Sequence, residues 1–288
     1  MEAARTIRPG DGLYPPALER LDDRPAALRV AGELGPERRV AVVGARDADG
    51  YGIDQAHRIA AGLARAGLCV VSGAARGIDA AAHRGALSVR GHTIAVLGQG
   101  LAAPRSRPQA ALLAEILAGG GALVTEHADD DPPAKWTFPK RNRIVSGMSE
   151  AVVVVRAGKG SGALLTAAFA RAQGTPVFAV PGDVDHPLAA GIVELFRAGA
   201  RPAAAADDVL LALGIAPQPA LPLEAPRGLG EAARAVLAAL APRPRHADEV
   251  ARSAGLSTGV ALAALLELEL DGHCEQKPGH YFLRRCEG

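Results

Sequence analysis

Arg39–Gly44, RVAVVG, is a short apolar run that stops at a glycine, and the same kind of unit recurs at a spacing few folds can satisfy. Runs at Leu68–Ser72, Thr93–Leu97, Ala122–Glu126, Ala151–Val155 and Pro176–Val180 read as further buried strands. Helical spacing fills the intervals at Ile53–Ala66, Ile78–Val89, Gln109–Leu117 and Ser161–Gln173. Strands that alternate with helices in this way must be joined by right-handed crossovers. The expected class is therefore α/β, a doubly wound and mostly parallel sheet whose strand order stays open. Ligands of such sheets bind beyond the carboxyl ends of the strands.

This region is expected to run from 38 to 213, ending in a helix around Asp207–Leu213, with 1–37 as a lead-in segment. Pro217, Pro219, Pro222 and Pro226 make 214–228 a linker, because proline fixes φ and removes a donor. In 229–288, helices are expected at Glu231–Leu240, Ala247–Ala254 and Thr258–Leu270. A turn at Asp271-Gly272 and a hairpin within Gln276–Leu283 complete a small winged-helix-like domain. Its expected recognition helix, Thr258–Leu270, has no Lys or Arg and carries Glu267 and Glu269. Phosphate repulsion argues against duplex reading by that helix, so docking or protein contact is expected instead.

Every strand end opens into a polar loop of small residues: Gly44-Ala45-Arg46, Ser72–Asp79 and Gly158–Gly162. Such loops let backbone N–H groups approach an anion, and the next helix adds its positive N-terminal end. Arg46 and Arg76 can offer forked donors to phosphate. Phe138–Ser149, FPKRNRIVSGMS, places Lys140, Arg141 and Arg143 beside an aromatic, with Lys135 and Trp136 just before it. Cations and aromatics together suit a ligand with phosphates and stackable rings. Burial of Trp136 fits the pattern equally well. The formal net charge of +1 confines any nucleic-acid surface to a local patch. Hydrophobic content of 49% excludes a disordered chain, and 3% aromatics imply an Ala/Val/Leu interior.

Other chemistries find little support. The loop at Gly158–Thr166 lacks the Lys-Ser/Thr ending of an ATP loop, and GARDADG is not a dinucleotide fingerprint. No catalytic residue, metal or cofactor is expected. Ser72 has no nucleophile elbow; Asp79 and His83, four apart on one helix face, are close enough to pair, and a structural hydrogen bond holding the loop is expected of them over acid–base catalysis; the remaining histidines are scattered. The three cysteines lack zinc spacing, and Cys69 falls within a strand as a small buried hydrophobe. With no run near the length of a membrane span and no signal-type start, a cytoplasmic protein without membrane contact is expected.

Segments VVGAR (42–46), SGAARGIDAAAH (72–83), GHTIAVLGQG (91–100), FPKRNRIVSGMS (138–149), GSGALLTAAFA (160–170) and VFAVPGDV (177–184) closely resemble the DNA-processing protein A family, DprA or Smf, in the family's order. The resemblance implies an extended Rossmann-like domain that binds single-stranded DNA and loads RecA recombinase onto it during natural transformation. It also implies a homodimer and no established enzymatic activity. By motif match, DNA-binding residues are Arg46, Ser72, Gly73, Arg76, Gly77, Lys135, Phe138, Lys140, Arg141 and Arg143, with Gly160, Ser161, Gly162 and Thr166 at the floor.

Departures from the family pattern are Ala103-Pro104 where Tyr-Pro is usual, Arg156 where an acid usually ends the strand, and Gly191–Phe196 without the family's asparagine. Arg156 is expected to add positive potential if it faces the loops. No room is expected before Tyr14 for the extra helical domain of many members. The apolar segment from Leu188 to Leu213 fits either a dimer surface or core packing. A phosphoribohydrolase-like nucleotide-processing enzyme is the alternative, although Gly158–Ala168 lacks that group's double glycine and glutamate; a pure protein adaptor is the other rival.

Overall fold

A computed structural model describes residues 4–36, 38–134, 136–216, 229–241 and 244–284. Cys286, Lys135 and most of the expected linker lie outside the described residues. The chain divides into two units, Met1–Gln218 and Pro219–Gly288.

The first unit is built on nine strands: β1 (Arg5–Ile7), β2 (Leu28–Gly32), β3 (Arg39–Gly44), β4 (Cys69–Ser72), β5 (Thr93–Leu97), β6 (Ala122–Thr125), β7 (Ala151–Val155), β8 (Val177–Ala179) and β9 (Arg201–Pro202). Their spatial order is β1-β2-β6-β5-β4-β3-β7-β8-β9. From β6 to β9 every pairing is parallel, as the alternation of apolar runs and helices requires. The expected lead-in segment is more than a lead-in. It adds β1 and β2 antiparallel to the β6 edge, with the short helix α1 (Pro16–Glu19) between them.

Helices cover both faces, and period-two alternation along the strands decides what each one meets. Val40, Val42 and Val70 point to the side of α2 (Gly50–Arg65) and α3 (Ile78–Ser88), where Ile59, Leu63 and Ile78 are fully buried. Ala41, Val43 and Val71 point to the opposite side, toward Ile144, Ala167 and Ile192. α4 (Arg107–Ala118) packs Leu112, Leu113 and Ile116 against Ala95 and Leu97. The remaining helices are α5 (Thr137–Gly147), α6 (Gly162–Ala172), α7 (Ala190–Arg197) and α8 (Ala206–Ala212). Of the Leu188–Leu213 segment, Ile192, Leu195, Val209 and Leu210 pack into the core, whereas Leu211 is exposed. Cys69 lies fully inside, and burial pushes its thiol up to about 12. No single described helix is long and apolar enough to cross a membrane.

The sheet order reverses between β3 and β7. β3 leads into α2 on one face and β7 into α6 on the other, so the two following loops part and leave a crevice. Gly44 permits the contact beneath it, because a Cβ there would collide with the Val155 carbonyl.

The second unit contains α9 (Glu231–Ala239), β10 (Arg245–His246), α10 (Ala247–Ala254), α11 (Thr258–Leu270), β11 (Cys274–Lys277) and β12 (Tyr281–Arg284). The strands form an antiparallel sheet in the order β10-β12-β11. Phe282, Val236, Val250, Leu265 and Leu268 close its core. The wing hairpin follows the expected turn, and β10 is a strand the sequence pattern did not reveal.

Candidate nucleic-acid interface

Two depressions open on the carboxyl edge of the sheet. One, of about 670 Å³, fills the β3/β7 crevice between the Ala45–Asp47 and Gly158–Gly162 loops. The other, of about 570 Å³, lies over the β4 loop beside the start of α4. Arg46, Gly73, Ala75, Phe138 and Arg141 line both, forming the divide between them. The exposed Arg46 guanidinium stands 5.8 Å from the centroid of the Phe138 ring. A cation and an aromatic thus share the ridge between two hollows, a geometry suited to a phosphate on one side and a ring on the other.

The block at 138–149 is mostly the helix α5, with Pro139 in its first turn, where a missing N–H costs little. Helical periodicity sorts its residues. Phe138, Arg141, Asn142 and Val145 share the face that lines the crevice. Lys140 and Arg143 point to the other side. Lys140 is exposed and stands 3.6 Å from Glu126. Arg143 is 2% exposed and gives Glu126 a two-pronged contact at 3.1 and 2.8 Å, while its Nε donates to the Asp23 carbonyl at 3.0 Å. The expectation that Arg143 contacts DNA is therefore corrected: its donors are spent tying the 20–25 turn to the end of β6.

Arg141 is also buried, but differently. Its Nη1 donates to the Val96 carbonyl, and its Nε has no partner. It lies against Gly73, where a Cβ would collide with the guanidinium. Asp79 sits below the same loop and accepts from Ala75 N–H at 3.3 Å. Burial pushes the Asp79 carboxyl above its ordinary value, against the Arg141 charge and the loop's hydrogen bonds. The expected structural hydrogen bond that holds the loop is thus made by Asp79, but the two side chains do not pair with each other. His83 bonds instead to the Thr93 hydroxyl at 2.7 Å, which itself donates to the Val70 carbonyl. Burial pushes the His83 imidazole down to about 3, with Arg141 adding to the effect.

Ser72 is fully buried, and its hydroxyl donates to the Val42 carbonyl at 2.7 Å, tying β4 to β3. Thr166, 2% exposed, borders the crevice with its hydroxyl directed to the Gly162 carbonyl at 3.4 Å. Neither hydroxyl stands free as an anion donor, which corrects that part of the expected set. Gly77 holds φ at +79° and lets the β4 loop back onto the Ala45 and Arg46 carbonyls. Gly160, Ser161 and Gly162 line the crevice as expected, with Ser161 capping α6 by accepting from Ala163 N–H at 3.4 Å. Arg76 is exposed on the second hollow and paired with Asp47 at 2.8 Å. Trp136 is 65% exposed, edge-on to His127.

Arg156 adds no free charge to the loops. It is buried, grips Asp49 at 3.0 and 2.8 Å, and lies 4.7 Å over the Tyr51 ring. Asp49 also caps α2; although burial opposes it, the Arg156 and Gly52 bonds hold its carboxyl below the ordinary range. Sequence reasoning did not single out Asn142 as a lining residue, whereas Lys159 and Leu165 fall within the loop and floor segments it named. Asn142, which donates to the Gly162 carbonyl at 3.0 Å, was findable as the residue one helical turn beyond Phe138.

Fold and cleft define a class: a doubly wound α/β unit with a cation- and glycine-lined cleft at its switch point, joined in one chain to a winged-helix unit. The chain belongs to the DNA recombination-mediator protein A family, whose model matches residues 5–214; the DprA winged helix domain model matches 216–280. It is 40% identical over 282 residues to Protein Smf of Escherichia coli, covering 94% of this chain and 75% of that protein. It is 42% identical over 261 residues to a putative DNA processing protein DprA of Mycobacterium tuberculosis, covering 88% and 66%. Among solved structures, DNA processing protein A of Streptococcus pneumoniae superposes with a TM-score of 0.66 at 34% identity, over 73% of this chain and 74% of that one. The Helicobacter pylori protein, solved for its single-stranded DNA binding mode, gives 0.65 at 28% identity, over 73% and 95%.

Proposed function

We propose that this chain binds single-stranded DNA across the ridge between the two hollows, performs no chemistry on it, and helps place a RecA-type recombinase on the strand. The Arg46–Phe138 pair between adjoining cavities carries this reading, since it offers a charge and a stacking ring where a strand passes from one hollow to the next. The exposed Arg76 and Lys159 flank the path. The H. pylori relative's single-stranded DNA binding supports the ligand, and the family's description as a recombination mediator supports the recombinase. Affinity then comes from phosphate contacts and stacking, with weak sequence preference and steep salt dependence.

The absence of catalysis is part of the proposal. Among the described residues lining the cleft, the carboxylates are Asp47, engaged with Arg76, and Asp79, beneath the Ala75 loop. Neither stands free toward the opening as a general base would. Anisotropy titration of an oligothymidine tests strand binding; no binding at low salt overturns it. Release of base from nucleoside monophosphates would instead establish the phosphoribohydrolase-like alternative. Recombinase filament formation on strands precoated with single-strand binding protein, with and without this chain, tests the mediator step. The homodimer belongs to the same proposal and is read by sedimentation.

A further inference from the structure

Trp136 is the chain's one tryptophan, and the ring is held in the open. Its backbone is fixed by the buried Thr137, which donates to the Ala134 carbonyl from its N–H at 3.1 Å and from its hydroxyl at 2.8 Å. The ring stands edge-on to His127, with the two centroids 6.4 Å apart. His127 Nδ1 lies 3.6 Å from the Asp131 carboxylate, which accepts from the Ala128 N–H at 3.0 Å. A large aromatic surface is thus presented to solvent in one orientation, which removes much of the ordering cost of binding to it.

The segment that carries this ring is also a wall of the crevice. Pro133 and Ala134 line the cavity just before Trp136, and Phe138 and Pro139 line it just after. Trp136 itself is the residue at which α5 begins, on the opposite side of the helix from Phe138. Lys140 follows one turn on, at i+4, and shares the Trp136 side. Its ammonium is half-exposed and only 3.6 Å from a Glu126 carboxylate that Arg143 already grips, so it is loosely engaged.

We infer that Trp136 is a second stacking platform for the bound strand, taking a base beyond the one at Phe138 while Lys140 meets an adjoining phosphate. This rests on the strand-binding reading above. The ridge pair, Arg46 with Phe138, is thereby repeated at the rim as Lys140 with Trp136, a cation and a ring again side by side. Connectivity favours a base over a free partner here. Once one nucleotide sits on the ridge, the next few are tethered close to the rim at high effective concentration. Two of the three acids in the preceding loop are engaged, Asp129 by Arg29 and Asp131 by the Ala128 turn, with Asp130 exposed. Stacking is gained only by a strand long enough to reach both rings.

Because no other tryptophan is present, the emission of the full chain reports on this position alone. Oligothymidines of about 4 to about 16 nucleotides, the range of single-strand site sizes, supply the test. The longest should quench Trp136 emission and shield the ring from acrylamide, with the midpoint seen by anisotropy; the shortest should do neither. Trp136→Ala should weaken binding of the longest strand about fivefold to tenfold, the gap closing as the strand shortens, and Trp136→Phe should recover most of that loss. Lys140→Gln should lower the salt slope by about 0.7 for the longest strand only; an unchanged slope overturns the part given to Lys140. Strands that bind by anisotropy while emission, acrylamide access and Trp136→Ala affinity stay unchanged at every length overturn the inference and leave the ridge standing. Absence of strand binding at low salt removes both. Trp136→Ala that keeps its strand affinity but loses recombinase filament formation would assign the ring to a protein partner, and that too overturns the inference.

Discussion

The two sides of α5 carry the same kind of residue and do opposite things with it. On the crevice side, Phe138, Arg141 and Asn142 line a cavity, and Arg141 has a nitrogen to spare. On the far side, Arg143 spends its guanidinium on Glu126 and Asp23 and has nothing left for a ligand. Arg141 and Arg143 are two positions apart, about 200° around the helix, so a run of basic residues is split between binding and architecture. The number of cations in a segment says little about available positive potential until each one's partner is known.

The largest expected effect breaks the far side. Arg143→Ala leaves the nearly buried Glu126 carboxylate with only Lys140 at 3.6 Å and should cost about 3 kcal/mol in denaturant unfolding, the low end for breaking a buried pair. Oligothymidine affinity per folded molecule should keep its salt slope; a flattened slope would return Arg143 to the interface. Beneath the crevice side, His83 supplies a pH test. Its folded pKa of about 3 lies below the 6.5 of the free side chain. Between those values the unfolded chain binds a proton that the folded chain refuses. The stability that neutral His83 contributes is therefore complete above about pH 6.5 and is lost as pH falls toward 3, at up to about 1.4 kcal/mol per pH unit. Unfolding curves of His83→Gln should show a shallower acid limb, and an identical limb would contradict the burial.

Gly73→Ala sharpens the comparison from the crevice side. The added methyl enters the space held by the Arg141 guanidinium. Overpacking of this kind costs about 1–3 kcal/mol. Strand affinity should fall with stability here, because the displaced guanidinium lines both hollows; a loss of stability alone would show that Arg141 only supports the loop.

Much of this was legible from residues. Continuous apolar runs announced the parallel strands because a strand buried on both faces has no alternation to hide it. The crevice followed from loops gathered at one sheet edge. The lead-in strands escaped notice because β1 is three residues long and β2, LRVAG, carries an arginine that strand alternation turns away from the core to Asp129. Ser72, Thr166 and Arg143 were placed at the ligand because residue type reveals a donor but not whether the fold has already used it. Ser72 hydrogen-bonds across to β3, 30 residues away, and Arg143 reaches 120 residues back to Asp23. Such partners are set by the packed sheet. Helical periodicity, applied to 137–147, would have separated Phe138, Arg141 and Asn142 from Lys140 and Arg143 without any coordinates.

The smallest predicted change bears most directly on the ridge. Arg46 is exposed, sits over Phe138 and makes no ion pair among the described residues, so its removal should leave unfolding within about 0.5 kcal/mol of the wild type. If its guanidinium meets one phosphate, Arg46→Ala should reduce the salt slope of oligothymidine binding by about 0.7, the release expected per contact on a single strand. Arg46→Lys keeps that charge but gives up the planar fork, so it should restore the slope while recovering only part of the affinity. Phe138→Leu should do the converse, weakening binding at every salt concentration with the slope intact, since stacking releases no counterions. An Arg46→Ala slope equal to that of the wild type would move the strand off the ridge, and the comparison between the two sides of α5 would then concern stability alone.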